Sequence, residues 1–177
     1  LSHNIPLIEV TPHSDPAGSF TLGDGKAQKE GEVSFAQSED IVLVMQTSGT
    51  TSLPKIVPLT QKQLLRSVIT LSSQSNHSDQ DRSLHIVPHF HLLGIFGTLL
   101  APLFAGGTVI CTRNFIASDF LPLLKNHRPT FYIAGPAHHH AILQEIRKVP
   151  SGELKNNSLR FLRSVSAPMP ALVRSEL

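Results

Sequence analysis

From Asp40 onward, short apolar runs alternate with stretches of helical spacing, and polar or glycine-rich segments part them. Ile41 to Met45 is an apolar run bounded by polar residues and reads as a buried strand; Ile56 to Leu59 reads as a second. Gln61 to Leu71 places Leu64, Leu65, Val68 and Leu71 on one helical face, and Asn76 to Asp81 is a polar connection. Leu84 to Val87 is predicted as a strand, and Leu92 to Phe104 as an apolar helix ending at Gly106-Gly107. A strand over Thr108 to Cys111 follows, then a helix over Ala117 to Asn126 capped by Ser118 or the residues just before it. Thr130 to Ala134 reads as a strand, Ala137 to Arg147 as a helix opened by Pro136, and Arg160 to Val165 as a further strand. The pattern predicts an α/β fold, a mostly parallel sheet flanked by helices with right-handed crossovers, whose ligands bind at the C-terminal ends of the strands.

Residues 1–38 break this rhythm. Pro6, Pro12, Pro16, Gly18, Gly23, Gly25 and Gly31 punctuate them, which predicts a loop-rich lead-in with short strands ahead of an α/β subdomain over 39–177. Leu1-Ser2-His3 shows neither a starting Met nor a signal-peptide pattern, and Pro170 to Leu177 reads as a helix stopped partway, so both ends are expected to be cuts in a longer chain.

Composition narrows the function. The 177 residues are 40% hydrophobic and 16% charged, a globular balance. A net charge of +2 and no Lys/Arg run longer than two argue against nucleic acid. No stretch approaches the ~18 apolar residues of a membrane span. The lone Cys111 excludes an internal disulfide and fits a reducing, cytoplasmic setting; it is expected to be a small core residue.

One segment carries chemistry. Thr47-Ser48-Gly49-Thr50-Thr51-Ser52-Leu53-Pro54-Lys55 gathers five hydroxyls and a glycine into six residues, closed by Pro and Lys, directly after a predicted strand. By composition alone it reads as a flexible Ser/Thr-rich hairpin turn. It also suits a polyphosphate: hydroxyls and backbone N–H groups donate, Gly49 allows close approach, and Lys55 brings positive charge. It lacks the second glycine and terminal Gly-Lys-Ser/Thr of a Walker A loop.

Taken as an ordered string, the segment resembles the signature of the adenylate-forming, AMP-binding superfamily: acyl- and aryl-CoA synthetases, luciferases and peptide-synthetase adenylation domains. Pro88-His89-Phe90-His91-Leu92-Leu93-Gly94 resembles that family's Pro-x-Phe-His-x-x-Gly motif, Pro136 opens a stretch similar to its Val-Pro-Thr, and Leu159 to Pro170 resembles its strand ending in Gly-Gly-Ala-Pro-Leu. The likeness runs from about residue 39 to the end. Ser52, Val57-Pro58-Leu59-Thr60-Gln61 and Arg163-Ser164-Val165-Ser166-Ala167 lean toward a CoA-ligase branch that includes oxalate–CoA ligases. Two positions depart from the family: Ile56 stands where a glycine usually follows the lysine, and Ser166-Ala167 replaces the glycine pair.

The resemblance implies an internal fragment of the N-terminal domain of an ATP-dependent ligase, an acid–thiol ligase of organic or fatty acid metabolism. It would form an acyl-adenylate and then an acyl thioester. ATP, Mg²⁺ and CoA are the implied cofactors and cosubstrates; the partners are a small carboxylic acid and the thiol of CoA or a carrier protein. Thr47, Ser48, Gly49, Thr50, Thr51, Ser52 and Lys55 would hold the phosphates, with Lys55 and His91 as the catalytic pair. Phe90, His91, Gly135 and His139 would line the acid pocket. No protein-held metal is expected: His138, His139 and His140 point about 100° apart on a helix and cannot easily share one ion. The family's Tyr-Gly-x-Thr-Glu string, ribose aspartate and C-terminal lysine domain do not appear, so the fragment alone is expected to be inactive. A peptide-synthetase-type adenylation domain and a non-catalytic nucleotide-binding or interaction module stand as alternatives.

Overall fold

The computed structural model describes residues 9–14, 19–23, 34–46, 54–150, 152, 154 and 156–177. They fall into two compact units, Leu1–Ala36 and Gln37–Leu177. In the first, strands β1 (Val10–Pro12) and β2 (Phe20–Leu22) pair antiparallel, with Thr11 opposite Thr21.

The second unit opens with an antiparallel ribbon of β3 (Ile41–Gln46) and β4 (Ile56–Thr60). The β-branched run of β3 favours extended backbone. Gln46 pairs with Ile56 and Met45 with Val57, at the end of the ladder next to residues 47–55 in sequence. Pro58 sits opposite Val44. It is tolerated because the ribbon has only two strands and each is an edge.

Helix α1 (Gln61–Gln74) begins at once, through a capping box. Thr60 Oγ1 accepts from the Gln63 N–H (3.3 Å), and Gln63 Oε1 accepts from the Thr60 N–H (2.9 Å). Two orphan donors of the helix start are thereby satisfied.

The core is a four-stranded, all-parallel sheet of order β6-β5-β7-β8: β5 (Arg82–His85), β6 (Thr108–Cys111), β7 (Phe131–Ala134) and β8 (Phe161–Ser164). The other described strands form the two ribbons. Strand β7 is buried along its whole length, as a central strand covered on both faces must be. Leu84, Tyr132 and Ala134 pack with Phe120 of α3 (Phe120–His127) and Ile142 of α4 (Pro136–Ile146).

A buried carboxylate braces the N-terminal edge of the sheet. Asp81, 2% exposed, accepts from Thr130 Oγ1 (2.7 Å), the Ser78 N–H (2.9 Å) and Arg160 Nη2 (2.8 Å). These residues lie at or just before the starts of β5, β7 and β8. Burial alone would push the Asp81 carboxyl up; the three donors outweigh it and hold the group below its usual value.

Several expectations are corrected. The predicted helix over Leu92 to Phe104 is a π-helix over Leu93–Leu100 followed by one α-turn, α2 (Ala101–Phe104). Its wide winding is held by tertiary bonds: Ser83 Oγ donates to the Thr98 carbonyl oxygen (2.8 Å), and Thr98 Oγ1 lies 2.6 Å from His85 Nδ1. Strand β5 ends at His85 instead of Val87, because its ladder with β6 stops at the His85–Cys111 pair. No side chain caps the 117–127 helical stretch; a 3-10 turn over Ala117–Asp119 leads into α3, so the Ser118 cap does not form. Cys111 is exposed and not a core residue, because β6 is an outer strand of the sheet. The last helix, α5 (Ala171–Glu176), is tied to the end of α4 by Arg147, whose guanidinium grips Glu176 with bonds of 2.7 to 2.9 Å.

Candidate active site

The C-terminal ends of β5, β7 and β8 open onto a cavity of about 800 Å³. Its far wall is the β3–β4 ribbon. Met45 and Leu59, with Val57 and Gln46, face Pro88 and Phe90 to Leu93 of the segment after β5, Gly135 after β7 and Ser166 after β8. The lining is mostly apolar, with a few imidazole, amide and hydroxyl groups, as in an organic-ligand site.

The segment Pro88–Gly94 is shaped by its glycine. A Cβ on Gly94 would collide with the Pro88 carbonyl oxygen, and the same oxygen accepts from the His91 N–H (3.2 Å). This tight turn exposes Phe90 and His91 side by side, with ring centroids 4.6 Å apart. Just before it lies His85, 1% exposed, packed at a tilt against His89 with ring centroids 4.0 Å apart. Burial, and behind it the charge of His89, pushes the His85 imidazole down to about 4.

Helix α4 meets the cavity with its first turn. Gly135 occupies the N-cap and Pro136 the first helical position. His138, in that first turn, lines the cavity and packs on Phe115 (4.7 Å between ring centroids). Burial lowers its pKa. A smaller hollow of about 350 Å³, lined by His89, Arg113 and Phe115, shares Val87, Pro88, Phe90 and His138 with the main cavity.

The pocket residue in the histidine triplet is thus His138 and not the expected His139. His139 is fully buried behind it. Its Nε2 lies 3.3 Å from the Arg163 carbonyl oxygen, an acceptor, so Nε2 carries the proton and donates. Nδ1 is then an acceptor, and the Tyr132 hydroxyl donates to it (3.2 Å). Burial lowers the His139 pKa, partly countered by its bonds to the backbone of Arg163 and Ala134, and burial raises that of Tyr132.

Among the other expected site residues, Phe90, His91 and Gly135 converge on the cavity. Lys55 is exposed immediately before β4 and is not among the lining residues. Thr47, Ser48, Gly49, Thr50, Thr51 and Ser52 lie outside the described residues. Ile56 is 70% exposed on the ribbon. Ser166 has φ of 73°, in the left-handed region that glycine occupies without penalty, so a glycine is the unstrained residue at this turn. The sequence reading missed Met45, Val57, Leu59 and His138. The unbroken apolar runs of the two ribbon strands, Ile41 to Met45 and Ile56 to Leu59, gave no alternation from which to pick out the first three.

Among the described residues no three His, Cys, Asp or Glu side chains gather to hold a metal ion, and no helix is long and apolar enough to cross a membrane.

A family model described as AMP-binding enzyme matches residues 4–177. An oxalate–CoA ligase of Arabidopsis thaliana is 37% identical over 141 residues, covering 78% of this chain and 27% of that protein. A sulfoacetate–CoA ligase of Cupriavidus necator is 34% identical over 134 residues, covering 76% and 25%. Among solved structures, ATP-bound MatB from Rhodopseudomonas palustris superposes with a TM-score of 0.69 at 27% identity, over 79% of this chain and 27% of that one. O-succinylbenzoate coenzyme A synthetase from Bacillus subtilis, in complex with ATP and magnesium ion, superposes with a TM-score of 0.72 at 28% identity, over 85% and 30%. The chain therefore spans well under half the length of these relatives.

Proposed function

Because the chain belongs to the AMP-binding enzyme family, we propose that it supplies the acid pocket and phosphate loop of an ATP-dependent ligase joining a carboxylic acid to the thiol of CoA. The observation that carries this is the convergence of His91, Phe90 and Gly135 on one largely apolar cavity, walled by the two strands between which the hydroxyl-rich segment falls in the sequence. The similarity to CoA ligases supports the same reading.

The residues fit such substrates. The cavity volume suits an organic acid beside a nucleotide. ATP, with Mg²⁺ on its phosphates, supplies the electrophilic phosphorus and the pyrophosphate leaving group for an acyl-adenylate, from which the thioester forms. Phosphoryl substitution asks the protein mainly for positioning and charge neutralisation. Gly49 and the hydroxyls of Thr47, Ser48, Thr50, Thr51 and Ser52 cradle the phosphates, and the Lys55 ammonium offsets their charge. His91 holds the acid carboxylate through an imidazole N–H. Met45, Leu59 and Phe90 exclude water from the reacting atoms.

Acid-dependent exchange of pyrophosphate into ATP by the protein that contains this chain tests the proposal. Exchange with one class of acid is expected, and its loss in Lys55→Ala. Silence across short, medium, aromatic and dicarboxylic acids, from folded protein, would overturn it.

A further inference from the structure

The ligase reading leaves one polar assembly without a task. His85 and Thr98 are both buried, 13 residues apart in sequence, and neither lines the cavity. The Thr98 hydroxyl meets two partners, His85 Nδ1 at 2.6 Å and the Gly94 carbonyl oxygen at 3.1 Å. It has one proton. Both contacts are hydrogen bonds only if Thr98 donates to Gly94 and accepts from an Nδ1–H of His85. That arrangement fixes the His85 tautomer and leaves Nε2 buried without a hydrogen-bond partner among the described residues. A bare buried imidazole nitrogen is destabilising, and so is an eight-residue π-helix. Their joint presence calls for a reason beyond packing.

The reason lies in what the pair grips. Thr98 holds the carbonyl of Gly94, the residue whose backbone abuts the Pro88 carbonyl. That carbonyl in turn accepts from the His91 N–H. On its other side, the His85 ring packs at a tilt against His89, the residue next to Phe90. The turn that presents Phe90 and His91 is therefore clamped at both ends, at Gly94 by Thr98 and at His89 by His85. A second strap, Ser83 Oγ to the Thr98 carbonyl, holds the π-helix to β5 without touching that turn.

We propose that Thr98 and His85 are positioning residues that set where His91 and Phe90 stand in the acid pocket. The Gly94 bond is the ordinary reach of a helical threonine to the carbonyl four residues back, and the His85 bond joins that threonine to β5. This extends the ligase reading, but its structural half can be tested without it.

The test uses ring-¹⁵N histidine and ring-¹³C phenylalanine labelling of the protein that contains this chain, with Thr98→Val, Thr98→Ser and Ser83→Ala. In the unsubstituted chain His85 should show a protonated Nδ1 and an unprotonated Nε2. Thr98→Val should move the His91 imidazole and Phe90 ring resonances, and Thr98→Ser should restore them. Ser83→Ala should lower Tm while leaving those resonances in place. Should Thr98→Val not fold, Thr98→Cys, close in size with a weaker donor, is expected to give the same displacement at smaller amplitude. Resonances of His91 and Phe90 unmoved in the folded Thr98 variant would overturn the proposal and leave Thr98 a purely structural residue. In the acid-dependent exchange assay, Thr98→Val should raise KM for the acid about tenfold with KM for ATP unchanged, because misplacement of a contact residue weakens binding of the group it touches. Absence of exchange in every variant would count against the ligase reading alone, and the resonances would still decide the positioning role.

Discussion

Tyr132 of β7 donates its hydroxyl proton to His139 of α4 across 3.2 Å, while the opposite nitrogen of the same ring donates to the Arg163 carbonyl of β8. One imidazole thus fastens a helix to two strands, and its neighbour His138 is left to face the ligand cavity. The two histidines should separate by experiment. His139→Leu leaves the Tyr132 hydroxyl unpaired in the core, removes the second bond to the Arg163 carbonyl, and should cost about 2 kcal/mol, read as a lower urea midpoint. His138→Leu should leave that midpoint near the parent value and change KM for the acid instead.

Ser166 holds a left-handed backbone that its Cβ disfavours. Ser166→Gly should raise stability by about 1 kcal/mol, less any entropy the glycine adds to the unfolded chain. Thermal unfolding checks this. An unchanged or lower Tm would mean that the serine side chain contributes bonding that offsets its strain.

Asp81→Ala removes the acceptor shared by Thr130, Ser78 and Arg160. It should cost about 2 kcal/mol, a figure kept modest because the Arg160 side chain is 41% exposed. The sign of its pH dependence follows from the lowered pKa. The folded state holds the Asp81 proton less tightly than the unfolded chain, so its contribution is present above the ordinary carboxylate range and is lost as pH falls through the folded value. The Asp81→Ala penalty should therefore shrink in strong acid.

His85 gives a second, separable window. Its pKa falls from 6.5 to about 4 on folding, so between those values the unfolded chain takes up a proton that the folded chain refuses. Stability should drop by up to about 3 kcal/mol as pH falls from 6.5 to 4 on this account alone. His85→Asn keeps an N–H near the Nδ1 position and cannot titrate. Its urea midpoints over the same range should fall less steeply, with a residual slope from His77, His138 and His139, whose pKa values burial also lowers.

Much of the chain's order is written locally. Thr60 and Gln63 spell a capping box three residues apart, and helix α1 starts where that signature puts it. The apolar runs of β3, β7 and β8 and the proline at the head of α4 likewise announce their elements within a residue or two. What failed was information held between elements. Cys111 was misjudged because strand order decides which strand is outermost, and nothing inside Thr108–Cys111 states it. His139 was preferred to His138 because three adjacent histidines look alike until the rotation of α4 against β7 is known. The π-helix escaped because its winding depends on Ser83 and His85, residues of another strand.

The ribbon that walls the cavity shares no ladder with the parallel sheet among the described residues. One wall of the cavity is therefore knitted by backbone hydrogen bonds into the sheet, while the other is joined to the rest of its unit at its base, where β4 runs into α1 and the Gln61 and Lys62 N–H groups donate to the Asp40 and Ser38 carbonyls. Ladders fix spacing to a fraction of an ångström, and side-chain contacts yield. The gap between the two walls is accordingly set by no shared ladder among the described residues, and substitutions at Met45 or Leu59 act on its width directly.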